Sequence, residues 1–246
     1  MCPEKTSTGL LMTYNFRRPP YLIGSSLALA ESHINHIIDT FGSPEQSSSS
    51  NLSGRAGINK IDLQGIGKVV IKQYFRGGIL RHVNRRTYLY TGKPRSQTEF
   101  EMLARVRQIG VPAPEPVAFA VKGRLLYHAW LVTKELPNVQ ALPELSLHAP
   151  ESARAVIPAV GRQVRMLIRE GIYHVDLHPG NVLVDKYHNV YFIDFDKAHV
   201  SGYSKQKLLQ RYAERWARAA RKYDLPEFVI QILHAELMKN SGSSTK

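Results

Sequence analysis

Cysteine and long apolar runs are nearly absent from this chain of 246 residues. Its single cysteine, Cys2, excludes an intramolecular disulfide framework and a metal site built on a CxxC motif. No apolar run approaches the roughly 20 residues of a membrane-spanning helix, and residues 1–20 lack the apolar core of a secretory signal. These absences predict a globular protein of a reducing cytoplasm.

Acidic residues are missing from one long stretch of a basic chain, whose net charge is +13. None occurs between Asp62 and Glu99. The cationic residues of this stretch are Lys68, Lys72, Arg76, Arg81, Arg85, Arg86, Lys93 and Arg95. Because a solvated surface usually mixes charges of both signs, the stretch favours an anionic partner: nucleic acid, an acidic membrane surface, or a phosphorylated or acidic-sugar substrate. The alternative is that the charge serves solubility alone.

Hydrophobic periodicity divides the chain into a strand-rich part and a helix-rich part. Residues 1–20 look irregular, and Ala28 to Phe41 is typical of a short helix, or of a helix leading into a strand. Further strands are predicted at 58–62, 68–74, 117–121 and 125–134, and helices at 97–109, 153–170 and 205–223. The sequence therefore predicts an α+β fold with two lobes, residues 1–136 and 137–246, the first built on an antiparallel sheet and the second mainly helical.

The most specific pattern is residues 174–181, HVDLHPGN, which a hairpin pattern and Asp194 follow. In kinases that transfer the γ-phosphoryl group of ATP, the aspartate of an H-x-D-x-x-x-x-N loop accepts the proton of the attacking hydroxyl, and the asparagine binds metal. This spacing predicts Asp176 as the catalytic residue and Asn181 and Asp194 as Mg²⁺ ligands. A lone aspartate is more often a cap, but the ordered combination favours phosphoryl transfer.

A cation for the phosphates of ATP is predicted upstream of this loop. Lys72 lies in an apolar strand pattern, and a helix with two acidic residues follows it. An ion pair from that helix would hold the lysine toward the α- and β-phosphates. Glu99 is the first choice for the partner, and Glu101 is its rival.

Two further segments are predicted to contact the nucleotide. Gly54 and Gly57 lie in a Ser-rich segment, which is either a flexible loop or a cradle whose backbone N–H groups approach the phosphates. Glu135 and Leu136 fall where a hinge between the two lobes is expected. Their backbone is predicted to face adenine.

With these residues in place, the chain resembles the lipopolysaccharide kinase family of the protein-kinase-like superfamily. The segments that carry the resemblance are residues 74–78 (YFRGG), 88–92 (YLYTG), 174–181 and 193–198 (IDFDKA). The likeness extends from about Gly54 to Ala220. It implies a protein-kinase-like fold with an antiparallel-sheet N-lobe and a reduced helical C-lobe, with ATP and Mg²⁺ as cofactors.

The same resemblance implies the reaction and its place. The expected reaction is phosphorylation of a hydroxyl, position 4 in the family, of 3-deoxy-D-manno-octulosonic acid (Kdo) on a Kdo–lipid A precursor. The expected location is the cytoplasmic face of the inner membrane, where the protein would be peripheral and would meet an anionic membrane surface. Asp196 replaces the glycine of the protein-kinase Asp-Phe-Gly motif, and little chain follows it. Both departures favour a small or lipid-linked substrate over a protein.

Two basic segments are candidates for contact with that anionic acceptor. Arg81, Arg85 and Arg86, with Lys93 and Arg95, would bind the Kdo carboxylate and the lipid A phosphates, because arginine offers bidentate donors. The helix predicted at 205–223 has a basic face and an apolar face. It would either lie on a bilayer or pack its apolar face on the helical lobe, and packing is the favoured alternative.

Two other functions compete with this expectation. One is a small atypical protein kinase, and the other is a pseudokinase or a nucleic-acid-binding module that uses only the charge. The absence of a long peptide-binding region counts against the first alternative. Retention of the complete set of catalytic residues counts against the second, so no nucleic-acid partner is expected.

Overall fold

The computed structural model describes residues 4–8, 11–41, 58–74, 88–89, 92–124 and 126–239. The chain divides into two compact units. One comprises Met1–Arg105 and Pro114–Glu135, and the other comprises Val106–Ala113 and Leu136–Lys246. Residues 106–113, which the sequence assigns to the first lobe, therefore belong to the second unit.

An antiparallel sheet forms the framework of the first unit. Among the described residues its strands are β1 (Glu4–Thr8), β2 (Leu11–Arg18), β3 (Tyr21–Ser25), β4 (Ile58–Leu63), β5 (Gly67–Gln73), β6 (Tyr88–Leu89), β7 (Pro116–Gly123) and β8 (Leu126–Lys134). Their spatial order is β1-β2-β3-β7-β8-β5-β4, and β6 also pairs with β8. The antiparallel sheet predicted for this part of the chain is confirmed.

The first strands correct the prediction that residues 1–20 are irregular. β2 pairs with β1 and β3, and β3 pairs with β7, which is distant in sequence. Phe16 of β2 and Ile23 of β3 are buried in the core of the unit. Pairing and burial with distant residues therefore stabilise strands whose local pattern is weak.

Two helices accompany this sheet, α1 (Glu31–Thr40) and α2 (Arg95–Gln108). Ile34 and Ile37 of α1 are buried in the same core as the sheet residues. On β5, Val69 and Ile71 are buried in that core. Because side chains alternate along a strand, Lys72 lies on the other face of the sheet. The strand pattern thereby separates the lysine from the apolar core.

The second unit is mainly helical. Its elements are β9 (Val139–Ala141), α3 (Leu142–His148), α4 (Pro150–Arg169), β10 (Ile172–Tyr173), β11 (Val182–Asp185), β12 (Val190–Phe192), β13 (His199–Val200), α5 (Lys205–Lys222) and α6 (Phe228–Met238). β11 and β12 form the predicted hairpin, and β9 pairs with the other edge of β11. A 3₁₀ turn at Pro179–Asn181 leads into the hairpin.

The helices of the second unit pack through buried aromatic and ionic contacts. Trp216 of α5 is buried, and its Nε1 donates a hydrogen bond of 3.0 Å to the Val229 oxygen. Arg165 of α4 pairs with Glu236 of α6 at 2.7 Å. Leu208 and Tyr212 are buried as well, so the apolar face of α5 packs inside this unit as favoured. No helix in the described ranges has the length and hydropathy needed to cross a membrane.

Candidate active site

The predicted site residues fall into three groups in the structure. Those of the first unit are Lys72, Glu99 and Glu135, and those of the second unit are Leu136, Asp176, Asn181 and Asp194. The remaining predicted residues, Gly54, Gly57, Arg81, Arg85 and Arg86, lie outside the described residues.

Lys72 and Glu99 form an ion pair in the first unit. Lys72 Nζ lies 3.1 Å from Glu99 Oε2 and 3.3 Å from Oε1. The Glu99 side chain is only 3% exposed, and the Tyr74 hydroxyl donates a hydrogen bond to its Oε2. Lys72 Nζ also lies 5.1 Å from the centre of the Tyr74 ring. A buried carboxylate and an aromatic ring thus fix the position of the ammonium group.

The neighbouring acid, Glu101, has a different partner. Its carboxylate binds Lys93 Nζ at 2.7 Å, and both side chains are partly exposed. Residues two positions apart on a helix lie about 200° apart around its axis. Glu99 and Glu101 therefore project to different sides of α2, and only Glu99 contacts Lys72.

The backbone of Glu135 is partly engaged inside the first unit. Its N–H donates a hydrogen bond of 2.9 Å to the Lys68 oxygen, and its carboxylate pairs with Lys60 at 2.7 Å. An amide has one proton to donate, so the carbonyl of Glu135 is the group left for a further partner.

In the second unit, His174 anchors the start of the predicted catalytic loop. Its side chain is fully buried beside Phe195, with ring centres 4.4 Å apart. Its Nε2 lies 3.0 Å from the Ile193 oxygen, which only accepts, so Nε2 carries the proton. The Tyr212 hydroxyl accepts a 2.8 Å hydrogen bond from the His174 N–H. The loop is thereby fixed to the strand before Asp194 and to α5.

Two cations bind the carboxylate of Asp176, one on each oxygen. Lys197 Nζ lies 2.8 Å from Oδ2, and Arg215 Nη2 lies 3.1 Å from Oδ1. Neither cation was predicted as a site residue. Lys197 directly follows the Asp-Phe-Asp sequence. This closeness to a predicted metal ligand is the one feature of the sequence that points to Lys197 as a site residue. Arg215 has no such feature beyond its place on the basic face of α5. The two ion pairs hold both oxygens of the Asp176 carboxylate in a fixed orientation.

Asn181 and Asp194 stand on either side of the hairpin. The Asn181 side chain donates from Nδ2 to the Asp176 backbone oxygen at 2.9 Å, and its backbone oxygen accepts from the Ile193 N–H at 3.1 Å. Asp194 has a φ of 64°, a left-handed conformation that is uncommon for a residue other than glycine. Such a conformation persists where the surrounding structure imposes it, and it is frequent at functional sites.

The donor atoms present fit Mg²⁺. Because Asn181 uses its amide nitrogen in the hydrogen bond, its amide oxygen is the atom suited to a cation, and Asp194 supplies a carboxylate. No group of three or more His, Cys, Asp or Glu side chains in the described part of the chain could hold a metal by itself. This composition suits Mg²⁺, which usually binds one or two carboxylates and completes its shell with phosphates and water.

Burial of His174 makes the stability of the protein sensitive to acid. Burial lowers the pKa of His174 to about 4 from its ordinary value of 6.5. Above pH 6.5 the imidazole is neutral in both states, whereas at lower pH the unfolded chain takes up a proton that the folded chain resists. We expect the free energy of unfolding to fall by about 2 kcal/mol between pH 7 and pH 5 from this residue.

Chemical denaturation of wild type and His174→Gln at both pH values measures this effect. The difference in stability between the two proteins should shrink as the pH falls, because glutamine does not titrate. His148→Gln is the control, since His148 is exposed. A stability difference that is the same at both pH values would contradict the assignment.

Together the two units define a class of protein. An antiparallel sheet carries a lysine–glutamate pair, and a mainly helical unit carries the aspartate–asparagine loop and hairpin of a protein-kinase-like phosphotransferase. The chain belongs to the Lipopolysaccharide kinase (Kdo/WaaP) family, whose family model matches residues 48–227. The predicted family and fold class are confirmed.

Curated relatives support the same assignment. A protein of Vibrio cholerae serotype O1 named 3-deoxy-D-manno-octulosonic acid kinase is 35% identical over 133 residues, which are 53% of this chain and 56% of the relative. A protein of the same name from Xanthomonas axonopodis pv. citri is 31% identical over 197 residues, 78% of this chain and 70% of the relative. The chain thus spans between about half and 70% of the length of these relatives.

Proposed function

We propose that this protein is an ATP-dependent kinase that phosphorylates a hydroxyl of Kdo, at position 4, on a Kdo–lipid A precursor in the biosynthesis of the lipopolysaccharide inner core. The observation that carries the proposal is the conformation of the Asp176 loop. The Asn181 side chain donates a hydrogen bond to the Asp176 backbone oxygen, and His174 binds the backbone of Ile193, the residue before Asp194. Family membership and relatives named for this activity support the choice of acceptor.

The second unit would supply the groups that act on the acceptor hydroxyl. Asp176 accepts the proton as the hydroxyl oxygen attacks the γ-phosphorus and the bond from that phosphorus to the departing ADP breaks. Lys197 and Arg215 keep the two carboxylate oxygens of Asp176 in place. Asn181 and Asp194 would hold Mg²⁺. When bound, the metal neutralises charge on the β- and γ-phosphates.

The first unit would bind the nucleotide. Lys72, held by Glu99 and Tyr74, is a fixed cation for the α- and β-phosphates. The carbonyl of Glu135 is proposed to contact adenine, and the N–H groups near Gly54 and Gly57 to contact phosphate. The backbone of Leu136, which belongs to the second unit, is also proposed to contact adenine.

The acceptor suggests where the protein works. A Kdo–lipid A precursor carries carboxylate and phosphate groups on a membrane lipid, and the chain has a net charge of +13. We expect the protein to bind reversibly to an anionic membrane surface at the cytoplasmic face of the inner membrane. Arg81, Arg85 and Arg86 are proposed to bind the acceptor's anionic groups.

A direct assay tests this function. The purified protein is incubated with Mg-ATP and Kdo-lipid IVA, and in parallel with casein, and phosphorylated products are identified by mass spectrometry. The expected product is Kdo-lipid IVA with one added phosphate on Kdo, formed only when ATP and Mg²⁺ are both present. Absence of this product would overturn the proposal, and abundant casein phosphorylation would favour a protein kinase instead.

A further inference from the structure

A line of basic residues on α5 includes one that contacts the proposed catalytic carboxylate. Arg211, Arg215, Arg218 and Lys222 are spaced four, three and four residues apart, so they share one side of the helix. Arg215 contacts Asp176 at 3.1 Å. This basic side of α5 therefore contacts the residue proposed to activate the acceptor hydroxyl.

Arg211 is held by aromatic rings instead of by an acid. Its guanidinium carbon lies 4.5 Å from the centre of the Tyr203 ring and 5.8 Å from that of Tyr173. Its side chain is partly buried, and its Nε is buried without a hydrogen-bond partner among the described residues. Within the same part of the chain, none of the ion pairs found involves Arg211. The cation is preorganised by the two rings, and Glu214 of the same helix acts on its charge without forming an ion pair with it.

Exposed apolar side chains lie on the neighbouring segment. Val200 is 52% exposed and Tyr203 is 43% exposed, and Tyr203 also contacts the Tyr173 ring at 6.1 Å. The segment is fixed to the unit because β13 pairs with β10. An arginine held by aromatic rings and without an ion pair, beside an exposed tyrosine, differs from an ordinary solvated face, where cations project into water and pair with acids. It suits a ligand with both an anionic group and a sugar or acyl surface.

We infer that Arg211 and Arg215 bind an anionic group of the acceptor, with Tyr203 packed against its uncharged surface. The inference rests on the proposed function, because an acidic glycolipid supplies this combination of groups. Arginine donates two parallel hydrogen bonds to a carboxylate or a phosphate. Arg215 would then link the acceptor's anion to Asp176, which aligns the sugar hydroxyl with the proton acceptor.

Direct binding measurements test the inference. Kdo-lipid IVA in detergent micelles is titrated, without nucleotide, into wild type, Arg211→Gln and Arg211→Lys. Loss of hydrogen bonds to a charged group should raise the Kd of Arg211→Gln by about 10- to 100-fold. Arg211→Lys should lose less affinity than Arg211→Gln, because it keeps the charge although it cannot form the bidentate hydrogen bonds. In turnover, the KM for Kdo-lipid IVA should rise while the KM for ATP stays constant.

The matched control is Arg221→Gln. Arg221 is an exposed arginine of the same helix, but it projects to a different side from Arg211. The Kd of Arg221→Gln for Kdo-lipid IVA should stay within about twofold of wild type, because this substitution removes one positive charge at a position outside the proposed binding surface. Equal losses in Arg211→Gln and Arg221→Gln would overturn the inference in favour of general charge attraction. Thermal unfolding midpoints establish that the variants are folded.

A second acceptor identifies which anion is bound. The titration is repeated with Kdo-lipid IVA from which the lipid phosphates have been removed. If Arg211 binds the sugar carboxylate, the loss of affinity in Arg211→Gln is the same with both acceptors. If it binds a lipid phosphate, the loss disappears with the dephosphorylated acceptor. An unchanged Kd in Arg211→Gln for both acceptors overturns the inference, whether or not the wild type proves active as a kinase.

Discussion

Asp176→Asn is expected to lower turnover of Kdo-lipid IVA by about 10²–10⁴-fold, the usual contribution of a positioned general base. Asparagine has nearly the shape of aspartate, but it cannot accept the proton of the acceptor hydroxyl at neutral pH. The loop should keep its conformation, because Asn181 binds the backbone oxygen of residue 176 and not its carboxylate. His174 also holds the loop without involving that side chain. The loss should therefore appear in kcat, with little change in the KM for ATP.

The matched control for this substitution is Asp185→Asn in the hairpin of the same unit. Asp185 Oδ1 accepts hydrogen bonds from the Tyr187 and Asn189 N–H groups at 2.8 and 2.9 Å. Burial acts to raise the pKa of the Asp185 carboxyl, but its hydrogen bonds with Asn189, Tyr187 and Tyr191 together outweigh burial and lower that pKa. The same chemical change there should weaken a turn and leave kcat nearly unchanged.

Steady-state kinetics and thermal unfolding of the two variants, side by side, separate catalysis from stability. The Asp176→Asn protein should unfold at a temperature close to that of wild type, because its ion partners Lys197 and Arg215 are both partly exposed and contribute little. An Asp176→Asn enzyme that retains turnover within about twofold of wild type would contradict the role assigned to this residue.

The parts of the site that lie close together in sequence could be predicted, and the parts brought together by packing could not. Residues 174–181 and Asp194 were found because the spacing of a loop and a hairpin is local. Lys197 and Arg215 stand 21 and 39 residues from Asp176, and nothing in the sequence shows that they share its carboxylate. The strands within residues 1–20 are not predicted for a related reason: β1 and β2 join the sheet through β3, whose other partner, β7, lies far along the chain.

The choice between Glu99 and Glu101 shows how periodicity could have resolved an alternative. Glu99 is in line with Leu103 and Val106, at steps of four and three residues, and both are buried. Glu101 is in line with Arg105, which is only partly buried. A buried acid on the apolar side of a helix needs a partner, whereas an acid on the polar side does not. This argument predicts Glu99 as the partner of Lys72 from the sequence alone.

Lys72→Met is expected to reduce kcat/KM for ATP by about 10²–10³-fold, because it removes a fixed cation from the developing charge on the phosphates. The same substitution should also destabilise the fold. It leaves the Glu99 carboxylate, which is 3% exposed, with the Tyr74 hydroxyl but without its cation. Loss of one partner from such a pair costs about 1–3 kcal/mol when another hydrogen bond remains.

The double variant Lys72→Met/Glu99→Gln separates these two consequences. Glutamine at position 99 removes the unpaired charge and retains a hydrogen-bond acceptor for Tyr74. The free energy of unfolding should therefore recover most of the loss seen in Lys72→Met, while activity should stay low because the cation proposed to bind phosphate is still missing. Recovery of activity along with stability would show that Lys72 acts only through the fold.

An exposed pair in the same unit provides the control for both measurements. Lys134 and Glu115 lie 3.2 Å apart, and their side chains are 40% and 38% exposed. Lys134→Met should change the free energy of unfolding by less than about 1 kcal/mol, because solvent screens such pairs, and it should leave kcat/KM near that of wild type. The contrast follows from burial. Water compensates for the lost partner of the exposed Glu115, whereas Glu99 is buried and would keep only its hydrogen bond from the neutral Tyr74 hydroxyl among the partners described here.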